Sequence, residues 1–416
     1  MRLKIVLIWF FLSFWLGLKS QGYVITGLDL LEDKKYIEVP FQFINGHIVL
    51  DVNFQGIFDV KFIFDTGAQN VVLFEKSYVD VFGIKAERTI TLRGADLIGN
   101  IQANIVRNIS MKLEGSKMVE RDILVLPTNF LKMEEIIGVN VIGIIGAEFF
   151  RNTIVKIDFD RHVLTVFNPN KFSDKVTKGF EEVDCEFLEN KFYINSRVRI
   201  NNNGEYKNLR LLLDTGAAMS FLINTNSDTT LTVPDKLLPS ILGQGLGGPI
   251  LGYIGKVDQI NLDTFNFPNM LTYFQDDSYI IVGDRVDQRN GLLGTQVLSR
   301  FTIFVDYFRG RLFFKASKKY NKDFKYDLSG MTLHAFGPKL NHFFVKAVLD
   351  NSPAQEIGLE AGDEIVRIGF WGAWRYDLEG LSSLLAKKPG KKLEIVIKRK
   401  GEKITKQIVL RDLFRD

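Results

Sequence analysis

Hydrophobic residues occur along most of this 416-residue chain in short runs of aromatic and aliphatic side chains, separated by Gly, Asn and Asp. Runs of this length between turn residues are typical of β-strands. The pattern therefore predicts a mainly β protein with few helices as far as residue 314. Helical spacing appears near the C-terminus, in the leucines Leu378, Leu381, Leu384 and Leu385. The segment 328–416 is accordingly predicted to be an α+β unit.

Two of the turns between apolar runs share the four residues DTGA. The first occupies residues 65–68 in KFIFDTGAQNVVLF, and the second occupies residues 214–217 in RLLLDTGAAMSFLI. Asp, Thr and Gly are all common turn residues, so a single copy is best explained as ordinary turn chemistry. The second copy, 149 positions after the first, suggests that a longer segment is repeated.

Other landmarks along the chain keep the same spacing. IGIIGAEFF contains Gly146 and NGLLGTQVL contains Gly294, which lie 148 positions apart. A predicted strand hairpin follows each motif, IVKIDFDRHVLTVF after the first and TIFVDYFRGRLFF after the second. Because the turn, the apolar-Gly motif and the hairpin recur in one order, the chain is predicted to contain a tandem duplication that forms two similar lobes.

The duplication has a chemical consequence, because each lobe supplies one carboxyl group. Two carboxyl groups that face each other across a pseudo-twofold axis share a proton, since both cannot ionise readily at short range. The ionised group can take a proton from a water that attacks a carbonyl carbon, and the protonated group can stabilise the resulting oxyanion. This chemistry needs no metal ion and no covalent intermediate.

The paired DTGA turns, each with an apolar-Gly motif about 80 residues later, resemble retropepsin-like aspartic proteases. The resemblance implies a mainly β, bilobal acid protease fold of the retropepsin and pepsin kind. Its boundaries are expected at 37–167 for lobe 1, 168–190 for an inter-lobe connection and 191–314 for lobe 2. It also implies Asp65 and Asp214 as the catalytic pair of an aspartic endopeptidase that acts on polypeptides.

The residues after each Asp have expected roles in the same site. The active-site turns would be supported by Thr66, Gly67, Thr215 and Gly216. Gly allows a tight backbone behind the carboxylate, and the short, stiff Thr side chains can hydrogen-bond across the lobe junction. Pepsin-like members usually have Ser or Thr at the fourth position, where this chain has Ala68 and Ala217. Because Ala has no hydroxyl to stabilise the ionised form, the pair is expected to titrate at less acid pH than in pepsin.

Family members close a flap over the substrate, and lobe 2 offers GQGLGGPILG at 243–252 for this hairpin. The candidate tip residues are Gly245, Leu246 and Gly247. Lobe 1 offers LRGADLIGN at 92–100, so either lobe could supply the working flap. The lobe 2 segment also matches G-x-G-x-x-G, but no amphipathic helix follows it, and nucleotide binding is therefore disfavoured.

The sequence changes character after lobe 2. Residues 315–327 are rich in Lys and nearly free of aliphatic residues, which predicts a solvated linker. Residues 328–416 resemble a PDZ domain, which implies binding of an extended peptide with its terminal carboxylate held by a backbone loop. The loop would consist of Leu328, Ser329, Gly330 and Met331, although the family's usual GLGF is absent. A module that packs on the protease or binds an internal segment is the alternative.

The N-terminus has the layout of a signal peptide, with basic residues before the 14-residue apolar run Ile5–Leu18. It predicts a leader at 1–20 and an exported protein, periplasmic or secreted, of bacterial origin. The run is short for a membrane span, so membrane attachment is expected only if the leader stays uncleaved. Cys185 is the only cysteine, which excludes an intramolecular disulfide, and its thiol is expected to be buried and inert.

Composition narrows the function further. A formal net charge of +4 is small for this length and gives no indication of a nucleic-acid partner. The four histidines lack metal-ligand spacing, so no metal and no cofactor is expected. Two functions remain: an exported endopeptidase whose PDZ domain recruits or presents polypeptides, and a catalytically silent scaffold that binds them through the PDZ domain and the protease-like cleft. Both turns retain their Asp and Gly, which favours the endopeptidase.

Overall fold

The computed structural model describes residues 27–31, 33–93, 100–202, 204–245, 248–275 and 289–414. The predicted leader at 1–20 lies outside these ranges, as do Leu246 and Gly247 of the candidate flap. The described part of the chain is mainly β, which confirms the prediction from the hydrophobic pattern. None of its helices is long and apolar enough to cross a membrane.

Lobe 1 consists of short strands with little helix, and its strands alternate buried and exposed positions as the sequence does. On the first strand, Ile37, Val39 and Phe41 point into the core while the residues between them are exposed. The strands and helices are β1 (Tyr36–Ile44), β2 (His47–Phe54), β3 (Phe58–Asp65), β4 (Val72–Leu73), α1 (Ser77–Asp80), β5 (Arg88–Arg93), β6 (Asn100–Leu113), β7 (Val119–Val125), α2 (Met133–Ile137), β8 (Gly143–Gly146), β9 (Ile154–Asp158) and β10 (Val163–Phe167).

Lobe 2 repeats the order of the strands from the Asp turn onward, but its described residues contain no counterpart of the two helices α1 and α2. Its elements are β11 (Glu181–Val183), β12 (Cys185–Leu188), β13 (Lys191–Arg199), β14 (Lys207–Leu213), β15 (Phe221–Asn224), β16 (Leu238–Gly245), β17 (Gly248–Leu262), β18 (Phe265–Gln275), β19 (Gly291–Leu293), α3 (Thr295–Leu298), β20 (Phe301–Asp306) and β21 (Arg311–Ala316). The stretch 168–190, expected to be only a connection, contributes β11 to the sheet that joins the lobes and β12 to the sheet of lobe 2. Cys185, on β12, is half-buried, and burial raises the pKa of its thiol to about 11.

The two copies of the repeated hairpin join the lobes. Strand β9 pairs antiparallel with β20, so that Ile157 lies opposite Ile303. Strands β10 and β21 flank this central pair, and β1 and β11 extend the sheet on either side. Because equivalent strands of the two repeats pair with each other, the lobes are related by a pseudo-twofold axis through this sheet.

In each lobe the strand before the Asp turn pairs in parallel with the strand of the apolar-Gly motif. Strand β3 pairs with β8, which places Asp65 opposite Gly146, and β14 pairs with β19 in the same way. The strand after the Asp turn, β4 or β15, pairs with the other edge of the same apolar-Gly strand. Each Asp turn therefore crosses the end of a buried strand, which fixes its position.

The C-terminal domain has its own sheet and hydrophobic core. Its elements are β22 (Met331–Phe336), β23 (His342–Val348), α4 (Pro353–Glu356), β24 (Glu364–Ile368), β25 (Trp371–Gly372), α5 (Leu378–Leu385), β26 (Lys392–Arg399) and β27 (Glu402–Val409). Helix α5 is capped at its N-terminus by Asp377, whose Oδ1 accepts the Gly380 N–H at 2.7 Å. It buries Leu378, Leu381 and Leu385 against the sheet, as the leucine spacing predicts.

The segment 315–327 contacts lobe 2, although its lysines predict a solvated linker. Tyr320 and Phe324 pack against the buried cluster of the protease lobes. The Arg300 guanidinium lies 3.4 Å from the centroid of the Phe324 ring and donates to the carbonyl oxygens of Lys319 and Tyr320 at 2.9 Å. The prediction of a solvated linker followed from the lysines, but the two aromatic residues pack on the lobe and fix the position of the segment.

The C-terminal domain contacts both lobes. On the lobe 2 side, Lys256 Nζ lies 3.3 Å from an Asp412 carboxylate oxygen and 3.2 Å from the Tyr326 hydroxyl. On the lobe 1 side, the Asn45 N–H donates to Glu379 at 3.4 Å, and the Gly138 backbone approaches the Leu378 side chain closely. The domain therefore spans the two lobes.

Candidate active site

The two Asp side chains lie at the junction of the lobes, and each is held by its own turn. Asp65 ends β3, and its Oδ1 accepts the N–H groups of Gly67 at 2.8 Å and Ala68 at 3.0 Å. Asp214 directly follows β14, and its Oδ1 accepts the Gly216 N–H at 2.8 Å. These bonds orient each carboxyl group toward the opposite lobe.

The structure brings the two carboxyl groups together, and they are hydrogen-bonded to each other. Each also faces the Gly of the other turn. A Cβ atom built on Gly67 would lie 2.7 Å from Asp214 Cγ, and one built on Gly216 would lie 2.4 Å from Asp65 Cγ. Glycine is required at both positions because any side chain would displace the opposite carboxyl group.

The two threonines connect the turns. The Thr66 N–H donates to Thr215 Oγ1 and the Thr215 N–H donates to Thr66 Oγ1, both at 3.0 Å. The hydroxyl groups then donate to carbonyl oxygens across the junction, Thr66 to Leu213 at 2.8 Å and Thr215 to Phe64 at 2.9 Å. Both threonines are buried, so these four bonds hold the two carboxyl groups in one relative position.

The apolar-Gly motifs support the turns from behind. The Ala147 N–H donates to the Ala68 carbonyl oxygen at 2.9 Å, and the Thr295 N–H donates to that of Ala217 at 2.9 Å. A Cβ atom on Gly146 would lie 2.5 Å from a backbone oxygen of the first turn, and one on Gly294 would lie 2.3 Å from one of the second. The repeated Gly in IGIIGAEFF and NGLLGTQVL thus allows the backbone of each turn to approach.

Burial raises the pKa values of both Asp65 and Asp214 above the ordinary range of a carboxyl group. The negative charge of Asp214 and the hydrogen bond with it raise the pKa of Asp65 further, whereas Arg289 and the same hydrogen bond partly offset the rise for Asp214. The pair therefore keeps a shared proton to a higher pH than two separate carboxyl groups would. The side chains of Ala68 and Ala217 donate no hydrogen bond to either carboxylate, since they have no polar atom.

Two buried residues near the pair were not predicted as site residues. His47 Nδ1 lies 3.0 Å from the Asn45 carbonyl oxygen, and the ring also hydrogen-bonds to the backbone of Gly216. Burial lowers the pKa of His47 to about 4, so the ring is neutral and links the start of β2 to the second Asp turn. Tyr307 is buried, its hydroxyl has no partner in the described part of the chain, and burial and Asp65 raise its pKa.

Neither residue has a sequence pattern that would have indicated its position. The four histidines lack metal-ligand spacing, and a single His beside a predicted turn carries no other pattern. In the described residues no group of three or more His, Cys, Asp or Glu side chains is arranged to hold a metal ion.

The candidate flap of lobe 2 is only partly described. Gly245 ends β16 and pairs with Gly248 at the start of β17, so the two strands form a hairpin with the candidate tip between them. The lobe 1 alternative falls between β5 and β6, where residues 94–99 lie outside the described ranges. Either assignment of the working flap stays a prediction.

The predicted peptide-binding loop of the C-terminal domain encloses a carboxylate of its own chain. Asp327 Oδ2 accepts the N–H groups of Ser329 at 3.2 Å and Gly330 at 2.5 Å, and Oδ1 accepts the Ser329 hydroxyl at 2.6 Å. Leu328 and Met331, at the two ends of the loop, are buried. Binding of a ligand's terminal carboxylate to these N–H groups therefore requires Asp327 to move, and such binding stays a prediction.

The close approach of the Gly67 backbone to Asp214 predicts that a side chain at position 67 impairs peptide cleavage. We expect Gly67→Ala to lower kcat/KM for peptide cleavage at least about a hundredfold, because the new methyl group displaces the Asp214 carboxyl group from its position. Ser173→Ala is the control, since Ser173 is exposed and lies outside both Asp turns and both candidate flap segments. Equal activity of the two variants, with both folded by circular dichroism, would show that the close approach is not needed for cleavage.

Comparison with known proteins agrees with the fold. The sequence model of the aspartyl protease family matches residues 50–149 and 196–297, which are the two lobes with their Asp turns. The chain therefore has an aspartic protease-like fold, duplicated within one polypeptide. The comparison with curated protein sequences gives no match.

Several solved structures resemble the chain at low sequence identity. The aspartic proteinase of Irpex lacteus is 12% identical with a TM-score of 0.42, over 69% of this chain and 99% of that protein. Conglutin gamma, a basic 7S globulin from lupine seeds, is 11% identical with a TM-score of 0.42, over 69% and 97%. The photosystem II D1 C-terminal processing protease is 22% identical with a TM-score of 0.20, over 22% and 24%.

Proposed function

We propose that the protein is an aspartic endopeptidase that hydrolyses peptide bonds with a water activated between Asp65 and Asp214. The observation that carries the proposal is the pair itself. Two half-buried carboxyl groups from equivalent turns are hydrogen-bonded to each other, and four threonine hydrogen bonds hold the turns in place. If the turns had only a structural role, a second buried carboxyl group beside the first would destabilise the fold without a compensating function.

The charges around the pair suggest a role for each Asp, because Arg289 lowers the pKa of Asp214 and Asp214 raises that of Asp65. Asp214 ionises first and takes a proton from the attacking water, while Asp65 donates its proton to the carbonyl oxygen of the substrate. In the second step Asp214 passes its proton to the departing amide nitrogen, the C–N bond breaks, and Asp65 recovers its proton. The pair then returns to its singly protonated state, so no cofactor is consumed.

We propose further that the C-terminal domain is a PDZ domain that recruits or presents polypeptide substrates. The proposal is supported by a hydrophobic core separate from that of the protease lobes and by contacts of the domain with both lobes. Export to the periplasm or the exterior of a bacterium is proposed from the leader-like sequence at 1–20 alone.

The titration of the pair predicts the pH dependence of cleavage. Activity requires one ionised and one protonated carboxyl group, so it falls when pH drops below the lower pKa of the pair and when pH rises above the upper one. Because both pKa values are raised, with that of Asp65 raised by Asp214 as well, we expect the optimum of kcat/KM between about pH 5 and pH 7. The measurement is a kcat/KM profile from pH 2 to pH 9 with a quenched fluorescent peptide. A maximum near pH 2 would contradict the raised pKa values.

A further inference from the structure

A cavity of about 850 Å³ lies between lobe 2 and the C-terminal domain. One wall is formed by strands β16 and β17 with the end of β18, and the other by Gly330, Met331, the end of β23 and the last described residues. Volumes of this size are typical of sites that bind extended ligands. The cavity is separate from the space directly between Asp65 and Asp214.

Both walls of the cavity are apolar. Ile241 is paired with Leu251 on the two strands of the hairpin, and Pro239 with Tyr253, so these side chains share one face. Leu251 remains 68% exposed, Tyr253 42% and Ile241 38%. The opposite wall presents Met331, Val348, Leu349 and Phe414. Two facing apolar walls separated by solvent favour an apolar occupant, because filling the gap removes both surfaces from water.

The cavity is connected to the second catalytic turn. Tyr273, which lines it, hydrogen-bonds to the side chain of Gln296. Gln296 Nε2 donates in turn to the carbonyl oxygen of Ala218, four positions after Asp214, at 3.3 Å. Leu271, also in the lining, accepts a hydrogen bond from the hydroxyl of Ser220 on the same side. These hydrogen bonds place part of the cavity lining close to the segment that follows the second Asp turn.

The far end of the cavity is acidic. Asp327 and Asp350 line it beside the loop of the C-terminal domain. The described residues that line the cavity include these two carboxyl groups and no Lys or Arg, so this part of it is better suited to a positively charged side chain than to another carboxylate. This charge identifies the occupant more closely than the apolar walls alone.

We propose that this cavity continues the substrate groove and binds an extended, apolar segment of a polypeptide substrate, with a Lys or Arg side chain beside Asp327 and Asp350. The proposal rests on the proposed endopeptidase function and adds to it a class of substrate. It also gives the C-terminal domain a direct part in substrate binding, because the domain supplies one wall.

A series of peptides tests the proposal on the full chain. A short peptide that spans only the catalytic pair is compared with versions extended, at either end, by about five apolar residues and a Lys, which cover about 20 Å when extended. We expect extension at one end to raise kcat/KM at least about tenfold, and Tyr253→Asp, which changes a cavity residue outside the candidate flap segment 243–252, to remove that gain without changing cleavage of the short peptide. Ile57→Asp is the matched control, because Ile57 is 67% exposed and lies on lobe 1.

A binding measurement separates failure of this proposal from failure of the endopeptidase function. The extended peptide, labelled for fluorescence anisotropy, is titrated into the Asp214→Asn chain, which needs no catalysis. We expect Tyr253→Asp in this background to weaken binding about tenfold, and replacement of the peptide Lys by Glu to weaken it by a similar factor. Unchanged binding in both cases would overturn the proposal, whether or not the wild-type chain cleaves peptides. Weaker binding without cleavage would support the groove and contradict the endopeptidase.

Discussion

Replacing Asp65 by Asn is expected to lower kcat/KM for peptide cleavage at least about a thousandfold while leaving the fold intact. Asn has nearly the shape of protonated Asp, and its amide oxygen can accept the N–H groups of Gly67 and Ala68 that Asp65 accepts. Its amide can also donate a hydrogen bond to Asp214. Asn cannot supply a proton to the carbonyl oxygen of the substrate. The variant should therefore lose catalytic activity and keep its fold.

The same variant is expected to be more stable than the wild type at neutral pH. Burial and the neighbouring Asp214 raise the pKa of Asp65 in the folded protein, so the unfolded chain releases this proton more readily. Stability of the wild type therefore falls as pH rises from the ordinary pKa of Asp toward the raised value. Asn does not titrate. The free energy of unfolding of the variant should therefore equal that of the wild type near pH 4 and exceed it by about 1 to 3 kcal/mol near pH 7.

Urea denaturation at pH 4 and pH 7, together with peptide cleavage, measures both effects. Asp263→Asn, an exposed Asp on a turn of lobe 2, is the control and should change neither quantity. Loss of activity together with loss of stability would mean that Asp65 acts chiefly as a structural turn residue. Retained activity would exclude it from the catalytic pair.

Replacing Thr66 by Val is expected to lower the free energy of unfolding by about 2 to 5 kcal/mol. Valine keeps the branched shape but removes the hydroxyl, which leaves the Thr215 N–H without its acceptor and the Leu213 carbonyl oxygen without its donor. Both groups are at a buried position where water is not available to replace the lost partner. Cleavage should fall as well, because the two turns are no longer held together.

Thr66→Ser is the matched control, since it keeps the hydroxyl and should cost much less than the Val variant. Thr215→Val should have a similar effect to Thr66→Val, because the two residues occupy equivalent positions in one network. The double Val variant should then be less destabilised than the two single losses together, since both remove parts of the same set of bonds. Strict additivity of the two losses would contradict a shared network.

Much of the protease part could be predicted from the sequence because its determinants are local. The DTGA turns, the Gly146 and Gly294 motifs and the repeated hairpins each consist of a few adjacent residues, and their equal spacing indicates the duplication. The structure adds the physical reason for each glycine: a side chain at Gly67 or Gly216 would meet the opposite carboxyl group.

The remaining features depend on contacts between distant segments, which no short pattern encodes. His47 reaches the second Asp turn only because the lobes meet at this point. The Lys-rich segment 315–327 packs on lobe 2 because the Phe324 ring stacks against the Arg300 guanidinium. This contact forms only in the folded lobe, so no local pattern in the sequence indicates it. In the loop of the C-terminal domain, the N–H groups of Ser329 and Gly330 turn back onto the Asp327 carboxylate. The GLGF pattern begins after Asp327 and therefore does not indicate this contact.

The most direct test of the account is cleavage of an unstructured protein mixture by the purified chain, with new termini mapped by mass spectrometry at several pH values. The account predicts new termini with the wild type between about pH 5 and pH 7, and none with Asp214→Asn. The residues around the cleaved bonds would then define the substrate preference of the groove. New termini that persist in the Asp214→Asn reaction, or their absence from the wild-type reaction at every pH, would contradict the endopeptidase and favour a polypeptide-binding scaffold.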